Sequence, residues 1–148
     1  MKTIVVLRNK GDKGKTETLR AFANIIISTY PELKEITPIP INVPTEHDFK
    51  LVVEINGKII GIESQGDPNS GLREKLELLA NKDQCDLILC STRTKRDTVR
   101  AVNEIAQKYN YDKIWTSTYE IANKNNEQLV NTLKGKHILE LIQQLGLI

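Results

Sequence analysis

TIVVLRNKGDKGKTETLRAFANIIISTYP, residues 3–31, decides the fold that we expect for this chain of 148 residues. Residues 3–7 are apolar or β-branched without interruption, which is typical of a strand buried on both faces of a parallel sheet. Glycines and lysines follow. Apolar residues then recur at helical spacing from Leu19 to Tyr30, until Pro31 ends the pattern. The stretch predicts a strand, a glycine-rich loop and an amphipathic helix.

The rest of the chain continues this alternation of strand and helix patterns. Further strands are predicted at residues 49–55, 58–62, 86–90 and 113–116, and further helices at residues 72–79, 99–109 and 130–145. Asn56-Gly57 is expected to join the first two of these strands as a hairpin. The order predicts one α/β domain over residues 1–148, a three-layer α/β/α fold with a five-stranded, mainly parallel sheet. We expect the first strand at its centre and one antiparallel strand at an edge.

A glycine-rich loop connects the predicted first strand to the first helix and reads Asn9-Lys10-Gly11-Asp12-Lys13-Gly14-Lys15-Thr16. Its spacing follows the phosphate-binding pattern G-x-x-x-x-G-K-[ST], with Asn9 in the place of the first glycine. Gly11 and Gly14 leave room for backbone N–H groups to wrap a phosphate chain, and the helix N-terminus adds positive partial charge. Lys15 would reach the β- and γ-phosphates, and the Thr16 hydroxyl would bind Mg²⁺. The residues expected to contact the nucleotide are Asn9, Gly11, Asp12, Lys13, Gly14, Lys15, Thr16 and Glu17.

This loop resembles the phosphate loop of the P-loop NTPase superfamily. Residues 10–16 also resemble the deviant Walker A motif, K-G-G-x-G-K-[ST], of the plasmid-partition and septum-site ATPases and the nitrogenase iron protein. The resemblance implies that Lys10 and Lys15 are catalytic and that Lys10 reaches across a homodimer to the partner's nucleotide. Asp12 departs from the motif's glycine, and a carboxylate is electrostatically unfavourable beside a polyphosphate. Lys10 as one more exposed lysine beside Lys13 is the open alternative.

Glu63 and Asp67 come at and after the carboxyl end of the second hairpin strand. Ligands of open α/β sheets bind outside such strand ends, so Glu63 is expected to hold Mg²⁺ or water, as a Walker B acid does. The order of elements is also similar to that of small GTPases. Glu63-x-x-Gly66 occupies the place of their D-x-x-G, and Asp67 stands where they have a water-orienting glutamine. The resemblance implies catalytic roles for Glu63 and Asp67, and a polar turn with a solvated Glu63 is the alternative.

A basic segment, residues 91–100, follows the next buried strand. Arg93, Arg96 and Arg100 are candidates for cationic stabilisation of a transferring phosphoryl group, in the manner of an arginine finger. Residues 94–97, Thr-Lys-Arg-Asp, match the guanine-binding pattern [NT]-K-x-D. Asp97 is nevertheless favoured as the N-cap of the helix that follows.

Weaker candidates lie outside these segments. Residues 31–48 hold four of the five prolines and form a loop long enough to suggest a function. Within it, Thr45-Glu46-His47-Asp48 has metal-ligand residue types, but a single histidine favours ordinary loop chemistry. Trp115 and Tyr119 are candidates for the floor of a base pocket, with core packing as the alternative. His137, on an apolar stripe, is expected to be a half-buried core residue.

The composition of the chain narrows the classes of function that it can have. A net charge of +2, with 39% hydrophobic and 27% charged residues, is typical of a globular protein and does not indicate a nucleic-acid partner. No segment approaches the roughly 18 apolar residues of a membrane span. Cys85 and Cys90 suit neither a disulfide nor a zinc pair, so a reducing, cytoplasmic location is expected.

These patterns together predict a nucleoside-triphosphate-binding protein that takes ATP or GTP with Mg²⁺ and acts as a slow Mg²⁺-dependent NTPase or a switch. One alternative is a small phosphotransferase, in which the proline loop or the arginine segment closes over an acceptor. The other is a degenerate, non-catalytic P-loop module that binds a protein or nucleic-acid partner, an interpretation that Asn9 and Asp12 favour.

Overall fold

The computed structural model describes residues 1–11, 13–94 and 96–148, without the side chain of Arg96, and within them it has six strands and four α-helices. The strands are β1 (Thr3–Arg8), β2 (Lys34–Thr37), β3 (Lys50–Ile55), β4 (Lys58–Glu63), β5 (Leu87–Thr92) and β6 (Asp112–Thr116). The helices are α1 (Lys15–Thr29), α2 (Leu72–Glu77), α3 (Arg96–Tyr109) and α4 (Glu127–Gln144). A π-helical segment, Leu78–Lys82, continues α2, and a 3₁₀ turn, Lys124–Asn126, leads into α4.

The described strands form one mixed sheet in the order β2-β3-β4-β5-β1-β6. β1 lies parallel to both β5 and β6, and β4 lies parallel to β5. β3 is antiparallel to both of its neighbours, β2 and β4. Because β3 runs in the opposite direction, the residues just before it lie beside the carboxyl ends of β4, β5 and β1.

Three details of the predicted sheet are wrong. The described sheet has six strands rather than five, because β2 forms within the proline-rich segment from four exposed or half-buried residues that give no apolar pattern. β2 lies outside β3, so the antiparallel strand is not at the edge. β1 is an interior strand, but β6 alone separates it from one edge of the described sheet, so it is not central.

The uninterrupted apolar run of β1 is buried on both faces, as predicted: residues 3–7 are all buried. Val5 and Leu7 belong to a cluster that α1 and α4 cover. Ile4 and Val6 belong to a second cluster, which α2 and α3 cover. Helices on both faces of a mostly parallel sheet are compatible with a three-layer α/β/α arrangement.

Helix α1 begins directly after the glycine-rich loop. Gly14 is the N-cap, with φ 79° and ψ 16° in the left-handed region that favours glycine, and Lys15 is the first helical residue. The helix ends before Pro31, as predicted, and packs against α4, where Gly135 permits close approach because a Cβ there would lie 3.0 Å from the Phe22 backbone nitrogen. None of the described helices combines the length and the apolar character that a membrane span requires.

Helix α3 begins two residues earlier than the capping prediction requires. Because the helix starts at Arg96, Asp97 lies in its first turn and is not its N-cap. An acidic side chain in that turn is still favourable, since it faces the positive end of the helix dipole. Lys95, part of the guanine-type pattern, lies outside the described residues.

Candidate phosphate-binding site

Lys15 ties the two ends of the glycine-rich loop together. Lys15 is only 7% exposed, and its Nζ donates to the backbone oxygen of Asn9 at 2.8 Å and to that of Lys10 at 3.1 Å. The ammonium group is therefore held inside the loop and just ahead of the first turn of α1. The N-terminal N–H groups and the positive end of the helix dipole add to its charge there, which favours an anionic ligand.

Asn9 serves as a support of the loop. Its side-chain Nδ2 donates to Thr118 Oγ1 at 2.8 Å and to Glu120 Oε2 at 3.4 Å, and its Oδ1 accepts from the Lys10 backbone N–H at 2.7 Å. A glycine at this position makes none of these bonds. The departure from the usual first glycine thus has a physical reason, since Asn9 fastens the loop to the segment that follows β6.

The side chain of Asp48, two residues before β3, contacts the end of α1 that carries the loop. The Thr16 hydroxyl donates to Asp48 Oδ1 at 3.1 Å. Ser64 Oγ donates to the same oxygen at 2.9 Å and accepts from the Phe49 backbone N–H at 2.7 Å. Asp48 is exposed, so one side of this carboxylate faces solvent. Asp48 was not predicted as a site residue. The reversed direction of β3, which the Asn56-Gly57 hairpin predicts, brings it here. No sequence pattern pairs Asp48 with Thr16, and the residue types of segment 45–48 favour ordinary loop chemistry.

Arg20 fixes the segment that carries Asp48. Its guanidinium donates to the backbone oxygen of Pro44 and, at 3.1 Å, to that of His47, and it stacks over the Phe49 ring at 5.7 Å. Arg20 also pairs with Glu17 at 3.1 Å, so Glu17, a predicted contact residue, helps to hold the Arg20 guanidinium in this position. The first turns of α1 thereby position both the Thr16 hydroxyl and the acid that it contacts.

Glu63 lies at the predicted strand end but faces the other side of the sheet. It is 5% exposed and stands in register with Cys90, which belongs to the cluster under α2 and α3. Burial raises the pKa of the Glu63 carboxyl, while the Gln65 backbone N–H and the charge of Lys75 act in the opposite direction. Among the described contacts, Asp48 rather than Glu63 is the carboxylate bonded to Thr16. The metal-binding role of Glu63 stays a prediction.

The buried carboxyl of Glu63 makes stability depend on pH. Because its pKa is raised above the ordinary value of 4.5, the folded protein holds this proton more tightly than the unfolded chain does. The resulting stabilisation is fully present below pH 4.5 and is lost as the pH rises through the folded value. We expect Glu63→Gln to raise the free energy of unfolding at pH 7 and to give no such gain at pH 4. Urea unfolding of both proteins across this range measures the difference, and a pH-independent difference would contradict the prediction.

Arg93 and Asp67 meet beside the glycine-rich loop. Arg93 Nε lies 3.0 Å from Asp67 Oδ1. The guanidinium rests on Gly11, where an added Cβ would lie 2.8 Å from Arg93 Cζ. Arg93 therefore contacts both Gly11 and Asp67, and the three residues were predicted from separate segments. Of the other arginine candidates, Arg100 is exposed on α3, and the side chain of Arg96 lies outside the described residues.

A cleft of about 640 Å³ opens along the loop. Residues 13–17 and Asp67 line one side of it, and residues 119–122 and the first turn of α4 line the other. This volume is within the range of small-molecule sites. Tyr119 lines the cleft, as the base-pocket prediction requires, whereas Trp115 contacts Arg8, 5.9 Å from its ring centre.

Two lysines of the predicted loop, Lys10 and Lys13, are exposed. The side chain of Lys13 pairs with Glu120 at 3.6 Å, and Lys10 is exposed. Asp12 lies outside the described residues, and the role of Lys10 in a homodimer stays a prediction. The half-buried placement predicted for His137 is wrong, because its ring is exposed and bonds the Tyr119 hydroxyl at 2.6 Å through Nδ1.

The oxygen atoms of Thr16 and Asp48 are the donor type that Mg²⁺ prefers. In the described ranges, no group of three or more His, Cys, Asp or Glu residues could hold a metal ion. A hydroxyl and one carboxylate beside a phosphate site suit a cation that takes its other ligands from phosphate and water. Comparisons of the chain with protein-family models, with curated proteins and with solved structures give no match.

Proposed function

We propose that the protein binds a nucleoside triphosphate with Mg²⁺ and acts as a slow NTPase or nucleotide-dependent switch. One observation carries the proposal: a buried lysine, a left-handed glycine and a hydroxyl bonded to a carboxylate stand together at the first turn of α1. These are the groups that a magnesium triphosphate requires, and they come from the chain segment that has the P-loop spacing.

The phosphate chain is bound by the loop itself in this proposal. Lys15 exchanges its contacts with the Asn9 and Lys10 carbonyl oxygens for contacts with phosphate oxygens, which carry more charge. Gly14, the N-cap, has no side chain that could occupy the helix N-terminus, where the first N–H groups of α1 would donate to the same phosphates. ATP and GTP share this part of the ligand, and the cleft beyond it receives the sugar and base.

Thr16 and Asp48 would hold the Mg²⁺ ion. When bound, the ion neutralises part of the charge on the β- and γ-phosphates. Asp48 keeps the Thr16 hydroxyl turned toward the site and is itself oriented by Ser64. In hydrolysis, a water oxygen bonds to the γ-phosphorus while the bond from that phosphorus to the β–γ bridging oxygen breaks. A nucleoside diphosphate and inorganic phosphate leave, and the proton of the water is released with the phosphate.

Loss of the buried lysine tests the proposal. We expect Lys15→Ala to weaken binding of a fluorescent Mg²⁺-triphosphate by about 1.5–3 kcal/mol, the range for hydrogen bonds to charged groups. That is roughly a 10- to 150-fold rise in Kd in an equilibrium titration. Lys58→Ala is the matched control, because Lys58 is exposed and begins β4 at the end away from the site.

Two outcomes would contradict the proposal. The first is a wild-type protein that binds no nucleotide at millimolar concentration in the presence of Mg²⁺. The second is a Lys15→Ala variant whose affinity equals that of the Lys58→Ala control. Circular dichroism of each variant checks that the fold is retained, so that a loss of binding is assigned to the site.

A further inference from the structure

We propose that Arg93 is the cation that contacts the terminal phosphate of the bound triphosphate, and that Asp67 holds Arg93 when that phosphate is absent. The inference rests on the proposed function and deepens it. It assigns Arg93 as the residue that distinguishes a bound triphosphate from a diphosphate. It also gives the switch a mechanism, in which Arg93 exchanges Asp67 for the terminal phosphate.

The first step is the position of Arg93 against the phosphate loop. A Cβ on Gly11 would lie 2.8 Å from both Cζ and Nη2 of Arg93 and 3.1 Å from Nη1, so the guanidinium occupies the space that a side chain at residue 11 would fill. Gly11 stands in the middle of the loop that wraps the phosphates. A planar cation on this backbone lies directly against the loop that holds the phosphates in the proposed function.

The second step is the partner that Arg93 now has. Its Nε donates to Asp67 Oδ1 at 3.0 Å, and Asp67 lines the same cleft as Lys15 and Thr16. The two side chains are 35% and 54% exposed, so water screens their attraction. An ion pair of this kind contributes little free energy, commonly less than about 1 kcal/mol. The pair keeps the guanidinium in place but is weak enough to be exchanged.

The third step is the competition between ligands for Arg93. A terminal phosphate offers more negative charge than one carboxylate and accepts two parallel N–H bonds from a guanidinium. It would therefore draw Arg93 away from Asp67. A diphosphate lacks that group, so Arg93 returns to Asp67. The pairing of Asp67 therefore depends on the nucleotide: Asp67 pairs with Arg93 when a diphosphate is bound and loses Arg93 when a triphosphate is bound.

The fourth step is that both residues are carried on fixed backbone. Arg93 directly follows β5, whose Ser91 Oγ donates to the Ser64 backbone oxygen at 2.8 Å. Asp67 directly follows Gly66, which packs against the Ser91 backbone. The exchange is thus a rotation of side chains between anchored positions, and its first consequence is a freed Asp67 on the segment 64–71.

The test compares affinities for a non-hydrolysable triphosphate and for the diphosphate, both with Mg²⁺. We expect Arg93→Ala to weaken triphosphate binding roughly 10- to 150-fold, the range for a lost hydrogen bond to a charged group, and to change diphosphate binding less than about twofold. Arg93→Lys should recover part of the loss. Arg8→Ala, which removes an exposed arginine that contacts Trp115, is the matched control for general loss of positive charge.

The role of Asp67 is tested by a double-mutant cycle. Asp67→Asn should strengthen triphosphate binding roughly two- to fivefold, because Arg93 no longer has to leave a partner. This gain should vanish in the Arg93→Ala background. An equal gain in both backgrounds would overturn the partner exchange, since it would mean that the carboxylate only repels phosphate.

Failure of this inference is distinguishable from failure of the proposed function. A wild-type protein that binds no nucleotide overturns both. If diphosphate and triphosphate bind through Lys15 but both affinities are the same in Arg93→Ala and wild type, the proposed function stands and Arg93 is not the terminal-phosphate contact.

Discussion

Gly66→Ala is expected to lower the free energy of unfolding by about 3 kcal/mol, the upper end of the range for overpacking. A Cβ on Gly66 would lie 1.8 Å from the backbone oxygen of Ser91 and 2.3 Å from its carbonyl carbon. Backbone atoms of a buried central strand cannot move aside, so the segment after β4 must shift instead. That segment begins with Ser64 and carries Asp67, and we therefore expect nucleotide affinity to fall together with stability.

Gly57→Ala is the matched control for the Gly66 variant. Gly57 has φ +79°, but nothing lies within 4 Å of its added Cβ, so its substitution measures the conformational cost of alanine without a clash. The φ of Gly66 is outside the left-handed region, so its cost is steric. Urea unfolding of both variants measures the difference. A Gly66→Ala protein as stable as Gly57→Ala would show that the strands are less tightly held than described.

Phe22→Ala is expected to destabilise the protein by about 3–5 kcal/mol, the range for removing a buried phenylalanine. Phe22 has no exposed surface and joins α1 to the cluster that α4 covers. The cavity cannot collapse easily, because α1 and α4 already pack closely: a Cβ added at Gly135 would lie 3.0 Å from the Phe22 backbone nitrogen. The loss would loosen the helix whose first turn carries Lys15 and Thr16.

Phe22→Leu distinguishes lost volume from lost ring contacts. A volume-conserving exchange within a core commonly costs less than about 1.5 kcal/mol, so the leucine variant should keep most of the stability. Both variants are measured by urea unfolding with and without Mg²⁺-nucleotide. A Phe22→Ala protein that loses less than about 1 kcal/mol would mean that α1 and α4 are not packed through this residue.

The part of the site that could be predicted is the part formed by adjacent residues. The apolar run of residues 3–7, the glycines and the helical spacing after them lie within one stretch, and together they predict β1, the loop and α1. Lys15 and Thr16 are predicted as site residues because the P-loop pattern has its lysine and hydroxyl at fixed positions in the chain. Local pattern and local chemistry agree there.

The part that could not be predicted depends on the order of the strands and on contacts between distant residues. The hairpin predicts that a strand is reversed, but nothing in the sequence pairs Asp48 with Thr16. β2, which lies beyond β3, has no apolar pattern to reveal it. The Arg93–Asp67 pair joins two loops that follow different strands. Glu63 has the right position at a strand end, but the alternation of side chains along β4 turns it to the other face.

The place of β1 in the sheet has a consequence for the order of folding. Thr3 pairs with Leu87 on one side and with Asp112 on the other, so β1 is synthesised well before either of the strands that flank it. The loop after β1 waits longer still, because Asn9 is fastened by Thr118 and Gly14 packs against Asn131. Contacts between such distant residues form slowly. The motif is thus synthesised before the residues that fix its shape, and a nascent chain that ends before β6 has the sequence of the loop without the contacts that hold it.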